Sequence, residues 1–398
     1  MLSFPVVHRL RPNTTFMIQR ILLLRRLLPR PFRRGEGFPG VTYPAVLSAA
    51  LCAWFVSITV LPAAEVAELP KSLFISISAL EKVPDARIRE WFEHIAAYHR
   101  QPGTPQRIDS LVLTGIAEAD PADPDGTSAL LLASPPPGMG SKGYHPARHQ
   151  LDIVSQYFKC FDSIYVGTMN LRWRGPGNAY TAGIQDADFR RRNIRFSTNI
   201  MDRFIATYPG LKFRWYISYE ANLNYFTNPK IKDAYAAYNL ELGNEMKARR
   251  NTDILWSPNF WSRYNSVPET NRAALAANLK DHFSRVPITE VHFQDHRGGS
   301  SALLPSRRFT VDDTRRYYDL LAGLGGPSVR VNVEMFVRSE QTGRGAAPMQ
   351  HADYVQRMKD YAKAHLPLGA SWEIRQWYAA HQGAPTCTAT GKPPESKP

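Results

Sequence analysis

Residues 212–220 read KFRWYISYE, a run of β-branched and aromatic side chains that is typical of a β-strand. A long stretch with a helical pattern follows over residues 228–249, and a second apolar run, DILWSPNFW, begins at Asp253. Strand, helix and strand in this order form the repeating unit of a parallel β-sheet. This segment therefore predicts an α/β fold.

The same alternation extends in both directions along the chain. Eight predicted strands begin at Ser72, Ile108, Asp162, Lys212, Asp253, Thr289, Val329 and Ala370. Every strand but the last is followed by an amphipathic stretch, which is the pattern of a closed (β/α)₈ TIM barrel over residues 70–380. The alternative is an open α/β sheet, but no G-x-G-x-x-G motif follows any of the strands.

The composition is that of a globular protein with a packed core, with 43% hydrophobic and 21% charged residues in a chain of 398. A net charge of +14 at first suggests a nucleic-acid or membrane-surface partner. Half of that charge lies in residues 1–40, which form a basic N-terminal segment with eight arginines and one glutamate. The barrel itself is therefore only moderately basic, and we expect no nucleic-acid partner.

Residues 41–64 carry no charge and follow the arginines directly. Arginines, an apolar run and then the small pair Ala63 and Ala64 are typical of a secretory signal peptide. The same run is long enough to stay in the bilayer as an N-terminal membrane anchor. Either outcome predicts an extracytoplasmic protein, whether secreted, periplasmic or membrane-anchored; the alternative is a buried core helix.

Two further segments break the alternation. Residues 117–143, after the second predicted strand, are rich in Pro, Gly and Asp. They fit either a loop that covers a substrate groove or a disordered insertion. Residues 381–398 have no apolar periodicity and predict a disordered tail.

Ionisable and polar residues stand at the carboxyl ends of four predicted strands, where the catalytic residues of a TIM barrel lie. The fourth strand ends at Glu220, the sixth at Gln294, Asp295 and His296, the seventh carries Asn332 and Glu334, and the eighth carries Glu373 and Arg375. Residues two apart on a strand share a face. Tyr216 and Glu220 should therefore face the barrel interior together with Arg214, whereas Tyr219 takes the opposite face. Asn332 and Glu334 should likewise face inward.

Glu220 and Glu334 are the catalytic candidates, because two carboxyls at one barrel mouth suit hydrolysis of a glycosidic bond. One carboxyl, kept protonated by its surroundings, protonates the leaving oxygen, and the other attacks the anomeric carbon or activates water. A separation of about 5 to 5.5 Å predicts retention, and one of about 6.5 to 9.5 Å predicts inversion. The alternative is a structural ion pair of each glutamate with Arg214 or Arg375.

Aromatic and amide side chains near the same strand ends suit a sugar ligand, because flat apolar rings stack on sugars and amides bind hydroxyls. The predicted substrate-binding residues are Tyr216, Tyr219, Asn259, Trp261, Gln294, Asp295, His296, Asn332, Glu373, Arg375 and Trp377. About half of the aromatic residues in this region should instead be core, Trp215 and Trp256 foremost. The pairs His292/His296 and His145/His149 lack a clear third ligand, so we predict no metal and no cofactor.

Four short motifs, YISYE at 216–220, WSPNFW at 256–261, FQDHRGG at 293–299 and NVEMF at 332–336, occur in an order that resembles a glycosidase-like barrel family. That family is domain of unknown function 4434, and the similarity covers residues 212–336. More broadly the chain resembles the clan A glycoside hydrolases. This resemblance implies a retaining enzyme with Glu220 as acid/base and Glu334 as nucleophile. Many clan A members have Asn directly before the acid/base, where Tyr219 stands here; Asn259 or Asn332 would replace it.

The leading hypothesis is an exported or membrane-anchored glycoside hydrolase that acts on an extracytoplasmic polysaccharide or glycoconjugate. The alternative is a non-catalytic carbohydrate-binding barrel of the cell envelope, which would have the same cleft without a productive carboxyl pair. A metal-dependent hydrolase is a third class, and it would need His292 or His296 to meet a carboxylate.

Overall fold

The computed structural model describes residues 70–99, 108–117, 148–338 and 346–374, apart from residues 172, 174, 302 and 304. Eight parallel strands close a barrel in which each strand pairs with its neighbours in the sequence and the last pairs with the first. The strands are β1 (Ser72–Ser76), β2 (Ser110–Thr114), β3 (Ser163–Gly167), β4 (Phe213–Ile217), β5 (Ile254–Trp256), β6 (Glu290–Gln294), β7 (Ser328–Glu334) and β8 (Leu368–Trp372). The predicted eight-stranded α/β barrel is confirmed.

Seven α-helices connect or follow these strands. They are α1 (Asp85–His99), α2 (Arg148–Ser155), α3 (Ala187–Thr207), α4 (Pro229–Arg249), α5 (Glu269–Arg285), α6 (Val311–Ala322) and α7 (His351–Lys363). Local sequence fixes several of their starts. Asn228 caps α4 just before a proline at the first helical position, and Thr310 and Asp313 form a reciprocal capping box on α6. Beyond β7, a short antiparallel hairpin pairs Phe336–Arg338 with Ala346–Pro348.

The main core lies between the strands and the helices. On β4, Phe213, Trp215 and Ile217 belong to this layer, as the alternation predicts. Trp215 and Trp256 are fully buried in it, and Trp256 donates its indole N–H to the Tyr219 carbonyl at 3.1 Å. Their predicted role as core residues is therefore confirmed.

A smaller cluster fills the inside of the barrel. It consists of Phe74, Val112, Tyr165, Tyr216, Leu255 and Ala370, with Trp372 packed against them. Towards the amino-terminal ends of the strands, Arg214 donates hydrogen bonds to the Tyr165 hydroxyl at 2.9 Å and to the Glu290 carboxylate at 3.0 Å. Arg214 thus has a partner of its own inside the barrel, and that partner is neither Glu220 nor Glu334.

The terminal segments lie outside the described residues. This applies to the predicted basic segment 1–40, the signal peptide or anchor at 41–64 and the disordered tail 381–398, and also to most of the long insertion after β2. Within the part of the chain that the structure describes, no helix is both long and apolar enough for a bilayer crossing.

Candidate active site

Glu220 stands three residues beyond the end of β4, on the inward-facing side of the strand. The residue as a whole is partly exposed at the carboxyl-terminal mouth of the barrel. Burial of the group raises the pKa of Glu220 to about 7, and a hydrogen bond with the Gln294 side chain opposes that rise. Glu220 can therefore hold a proton near neutral pH, as a general acid must.

Glu334 is the last residue of β7, and it is held at both its backbone and its side chain. Its Oε2 accepts a hydrogen bond from the Gly299 backbone N–H at 2.5 Å, and only 5% of the residue is exposed. Its own backbone N–H donates to Asp295 Oδ1 at 3.2 Å, and its carbonyl accepts from the Arg357 guanidinium. Glu334 is consequently fixed in one orientation.

The electrostatic surroundings of Glu334 favour its neutral form in the empty site. Burial and the negative charge of Asp295 raise the pKa of Glu334 above its ordinary value. The Gly299 N–H and the positive charges of Arg357 and Arg338 act in the opposite direction. A positive charge that develops on a ligand beside this carboxyl would favour its ionised form.

The glycines of the RGG sequence after β6 allow this loop to approach Glu334 closely. A Cβ at Gly298 would lie 2.6 Å from the Phe336 carbonyl oxygen and 3.0 Å from the Glu334 Cβ. A Cβ at Gly299 would lie 3.3 Å from Glu334 Oε2 and 3.0 Å from the His296 ring. Both glycines therefore serve close packing around a carboxylate.

Asp295 is buried directly behind Glu334. Its Oδ1 accepts from the backbone N–H groups of Glu334 and Arg297, each at 3.2 Å, and its Oδ2 accepts from the Tyr361 hydroxyl. Both oxygens are thus occupied by groups of the protein. The structure assigns Asp295 to the support of Glu334, which differs from the substrate contact predicted for it.

Amide side chains line the mouth between the two glutamates. Asn332 Nδ2 donates to Ser257 Oγ at 2.9 Å, and Gln294 Nε2 donates to the Ser257 carbonyl at 3.0 Å. Asn259 is pinned beside the Glu220 segment, because its backbone N–H donates to the Ala221 carbonyl at 2.8 Å. Within the described residues, Asn259 Oδ1 and Asn332 Oδ1 are buried and accept no hydrogen bond. A ligand that donates hydrogen bonds would satisfy both oxygens.

Gln294 lies at the end of β6, between the strands that lead to the two glutamates. Its side chain lowers the pKa of Glu220, and its backbone is in register with Asn332, two residues before Glu334. Glu220 and Glu334 therefore stand at the same end of the barrel, on β4 and β7, with only β5 and β6 between them on one side.

The other predicted ligand residues differ in where they lie. Tyr219 is in the layer between strands and helices, where its hydroxyl donates to the Ala179 carbonyl at 2.5 Å, so the structure does not bring it to the mouth. Tyr216 belongs to the barrel interior cluster, where burial and then the negative charge of Glu220 raise the pKa of its hydroxyl, and Glu373 is buried just after β8. His296 has a positive φ of 52°, packs edge-on against Phe309 and shares the Gly299 neighbourhood with Glu334. Arg375 and Trp377 lie outside the described residues.

Two aromatic residues near the site were not predicted. Trp372 pairs in register with Glu334 and packs against Phe74 inside the barrel, with ring centroids 5.0 Å apart. Tyr180 lies beside Glu220: burial and then the negative charge of Glu220 raise the pKa of its hydroxyl. Trp372 lies two residues after Ala370 on the same strand, so side-chain alternation could have predicted that it faces the barrel interior. Tyr180 lies in a segment without a periodic pattern, so the sequence carries no signal for it.

Among the described residues, no group of three or more His, Cys, Asp or Glu side chains is arranged to hold a metal ion. His292 and Glu290 approach one another at 3.5 Å inside the barrel, next to the Arg214 network.

No protein-family model and no curated protein matches the sequence. Solved structures are similar at low identity. The spore cortex-lytic enzyme SleL of Bacillus cereus is 8% identical over 79% of this chain and 72% of that chain, with a TM-score of 0.46. A family GH10 endoxylanase from a sugarcane soil metagenome is 11% identical over 77% and 86%, with a TM-score of 0.44. A GH18 chitinase of Cycas revoluta is 13% identical over 77% and 96%, with a TM-score of 0.41.

Proposed function

We propose that the chain is a retaining glycoside hydrolase in which Glu220 is the acid/base and Glu334 is the nucleophile. The observation that carries this proposal is the placement of two carboxyls at one barrel mouth, Glu220 just after β4 and Glu334 at the end of β7. Arg214 forms an ion pair with Glu290 and not with Glu220 or Glu334. The relation to domain of unknown function 4434 is part of the same proposal.

In the first step Glu220 protonates the leaving glycosidic oxygen while the ionised Glu334 attacks the anomeric carbon, giving a glycosyl-enzyme ester and the free alcohol. In the second step Glu220, now ionised, takes a proton from water, and that water breaks the ester bond. The pKa of about 7 at Glu220 suits both roles. The Gly299 N–H stabilises the Glu334 carboxylate before attack and after release.

The substrate in this proposal is an extracytoplasmic polysaccharide or glycoconjugate. The buried acceptor atoms of Asn259 and Asn332 support a hydroxyl-rich ligand, because each needs a donor when water leaves the site. The arginine-rich and apolar pattern of residues 1–64 supports export. Tagged protein expressed with and without residues 1–64 tests export, because only the longer form should leave the cytoplasm.

The test of the activity is the anomeric configuration of the first product. A panel of 4-nitrophenyl glycosides and β-1,4-linked oligosaccharides of glucose, xylose, mannose and N-acetylglucosamine is incubated with the protein and followed by proton NMR. We expect initial release of the sugar with the configuration of the substrate, and loss of turnover in Glu334→Gln with the fold preserved. Full turnover in Glu334→Gln would remove the nucleophile role, and initial inversion would remove the retaining mechanism.

A non-catalytic sugar-binding barrel is the second candidate. The near-complete burial of Glu334 favours it, because a carboxylate held by Gly299 can serve as a fixed hydrogen-bond acceptor for a ligand. This candidate predicts that wild type and Glu334→Gln both bind an oligosaccharide of the panel and that the wild type releases no product.

A further inference from the structure

Trp261, in the segment after β5, displays a large apolar side chain to solvent. With 47% of the residue exposed, it is one of three exposed large apolar residues among those the structure describes. A single exposed apolar side chain is common on a protein surface, whereas a contiguous apolar patch marks an interaction site. The surroundings of Trp261 therefore decide whether it has a role in binding.

The backbone that carries Trp261 is held rigidly. Asn224 Oδ1 accepts from the backbone N–H groups of Trp261 at 2.8 Å and of Ser262 at 3.0 Å. From the other side, the Tyr317 hydroxyl donates to the Ser262 carbonyl at 2.6 Å, and Arg263 forms an ion pair with the buried Asp313 at 2.9 Å. The indole is thus presented on a preorganised segment, which lowers the entropy cost of binding.

Other aromatic rings link Trp261 to the acid/base residue. Tyr180 packs edge-on against Trp261, with ring centroids 5.8 Å apart. The same tyrosine packs against Tyr219, the residue directly before Glu220, at 6.2 Å between centroids, and the negative charge of Glu220 acts on its hydroxyl. Tyr225 also contacts Trp261, at 6.3 Å between centroids. These three rings form a continuous surface, which we call the aromatic rim, that begins at Glu220 and leads away from it.

The aromatic rim lies on the Glu220 side of the mouth, and this fixes which part of a substrate it would meet. Tyr180 precedes β4 and Trp261 follows β5, so the two flank the strand that carries Glu220. Glu334 stands on β7. The leaving group lies next to the acid, and the sugar that is attacked lies next to the nucleophile.

We infer that the aromatic rim is a sugar subsite on the leaving-group side, so that the substrate is an oligosaccharide or polysaccharide with at least one pyranose beyond the cleaved bond. The apolar face of a pyranose would stack on the Trp261 indole, with the Tyr180 and Tyr225 hydroxyls available to its edge. This inference rests on the proposed function and specifies the substrate class for it. A 4-nitrophenyl monosaccharide has no second pyranose to stack on Trp261, so it serves as the comparison substrate.

The test compares two substrates of the same sugar, a β-1,4-linked hexasaccharide and the 4-nitrophenyl monosaccharide glycoside, in the series that the wild type hydrolyses. Trp261→Ala should lower the preference for the hexasaccharide, as the ratio of the two kcat/KM values, by about tenfold. Trp261→Phe keeps a ring and should recover most of that preference. The matched control is Leu240→Ala, which removes a side chain of a residue 38% exposed on α4 and should leave the ratio unchanged.

The outcomes separate this inference from the activity itself. If Trp261→Ala lowers both kcat/KM values equally, or neither of them, the subsite is wrong while the hydrolase stands. A second measurement does not depend on turnover. Calorimetry compares binding of the same hexasaccharide to Glu334→Gln and to the double variant with Trp261→Ala, and the added substitution should weaken binding by about tenfold. If the wild type neither hydrolyses nor binds any series of the panel, the proposed function fails and the subsite fails with it.

Discussion

Asp295 Oδ1 lies 3.2 Å from the backbone nitrogen of Glu334 and accepts its hydrogen bond, so one carboxylate fixes the position of another. The same aspartate accepts from the Tyr361 hydroxyl on α7. The arrangement has two consequences for Glu334. The glutamate cannot shift along the strand, and the nearby negative charge opposes its ionisation.

Asp295→Asn should lower the pKa of Glu334, because the negative charge that raises it is removed. The limb of the kcat/KM profile that Glu334 sets should therefore move to lower pH by about one unit. The asparagine oxygen can still accept from the Glu334 N–H. The measurement is the pH dependence of kcat/KM for both proteins on one 4-nitrophenyl glycoside. A profile with both limbs at the same pH in the two proteins would show that Asp295 does not act on Glu334.

Glu220→Gln should lower kcat/KM by about 10² to 10⁴-fold for substrates with poor leaving groups, because such leaving groups need a proton from the acid. A 2,4-dinitrophenyl glycoside, whose leaving group needs no proton, should be affected far less. The limb of the wild-type profile that is set by the pKa of about 7 at Glu220 should vanish in the variant. Equal losses on both substrates would contradict the acid role.

Glu220 also makes a testable contribution to stability. Its pKa is raised in the folded state, so between the unfolded value of 4.5 and about 7 the folded protein binds more protons than the unfolded chain. Stability from this group therefore falls as pH rises through that window. Glu220→Gln should increase the free energy of unfolding by roughly 1–3 kcal/mol at about pH 8 and change it little near pH 4. Urea unfolding at the two pH values measures both, and a pH-independent difference would argue against the raised pKa.

Gly298→Ala should reduce both activity and stability, because the added Cβ meets the Phe336 carbonyl oxygen at 2.6 Å and the Glu334 side chain at 3.0 Å. We expect a loss of roughly 1–3 kcal/mol in the free energy of unfolding. Gly210→Ala is the matched control, because a Cβ at Gly210 meets nothing within 4 Å. Equal stability of the two variants would mean that the RGG loop does not pack on Glu334 as described.

The sequence was sufficient to predict the barrel and the orientation of its strands. Side-chain alternation placed Tyr216, Asn332 and Glu334 inside and Trp215 outside, and the structure agrees, because a closed barrel with a helical outer layer imposes a strict period of two. The same rule already put Tyr219 on the outer face, where it is found.

Side-chain alternation no longer predicts orientation where the strands end, and the candidate site lies at those ends. After β6 the chain turns through His296 in a left-handed conformation, so alternation no longer tells that Asp295 supports Glu334 from behind. The close approach of Gly298 and Gly299 depends on the path of a loop around another strand. Tyr180 reaches Glu220 from the segment between β3 and α3, and no local pattern connects the two.

The central claim is that Glu334 forms a covalent bond with the sugar, and active-site labelling followed by peptide mass spectrometry tests it most directly. The protein is incubated with a 2-deoxy-2-fluoro glycoside that carries a 2,4-dinitrophenyl leaving group, matched to the sugar that the wild type hydrolyses. The account predicts one fluorosugar per chain, attached to the peptide that contains Glu334, and no labelling of Glu334→Gln. Attachment to any other residue, or labelling that persists in Glu334→Gln, would contradict it.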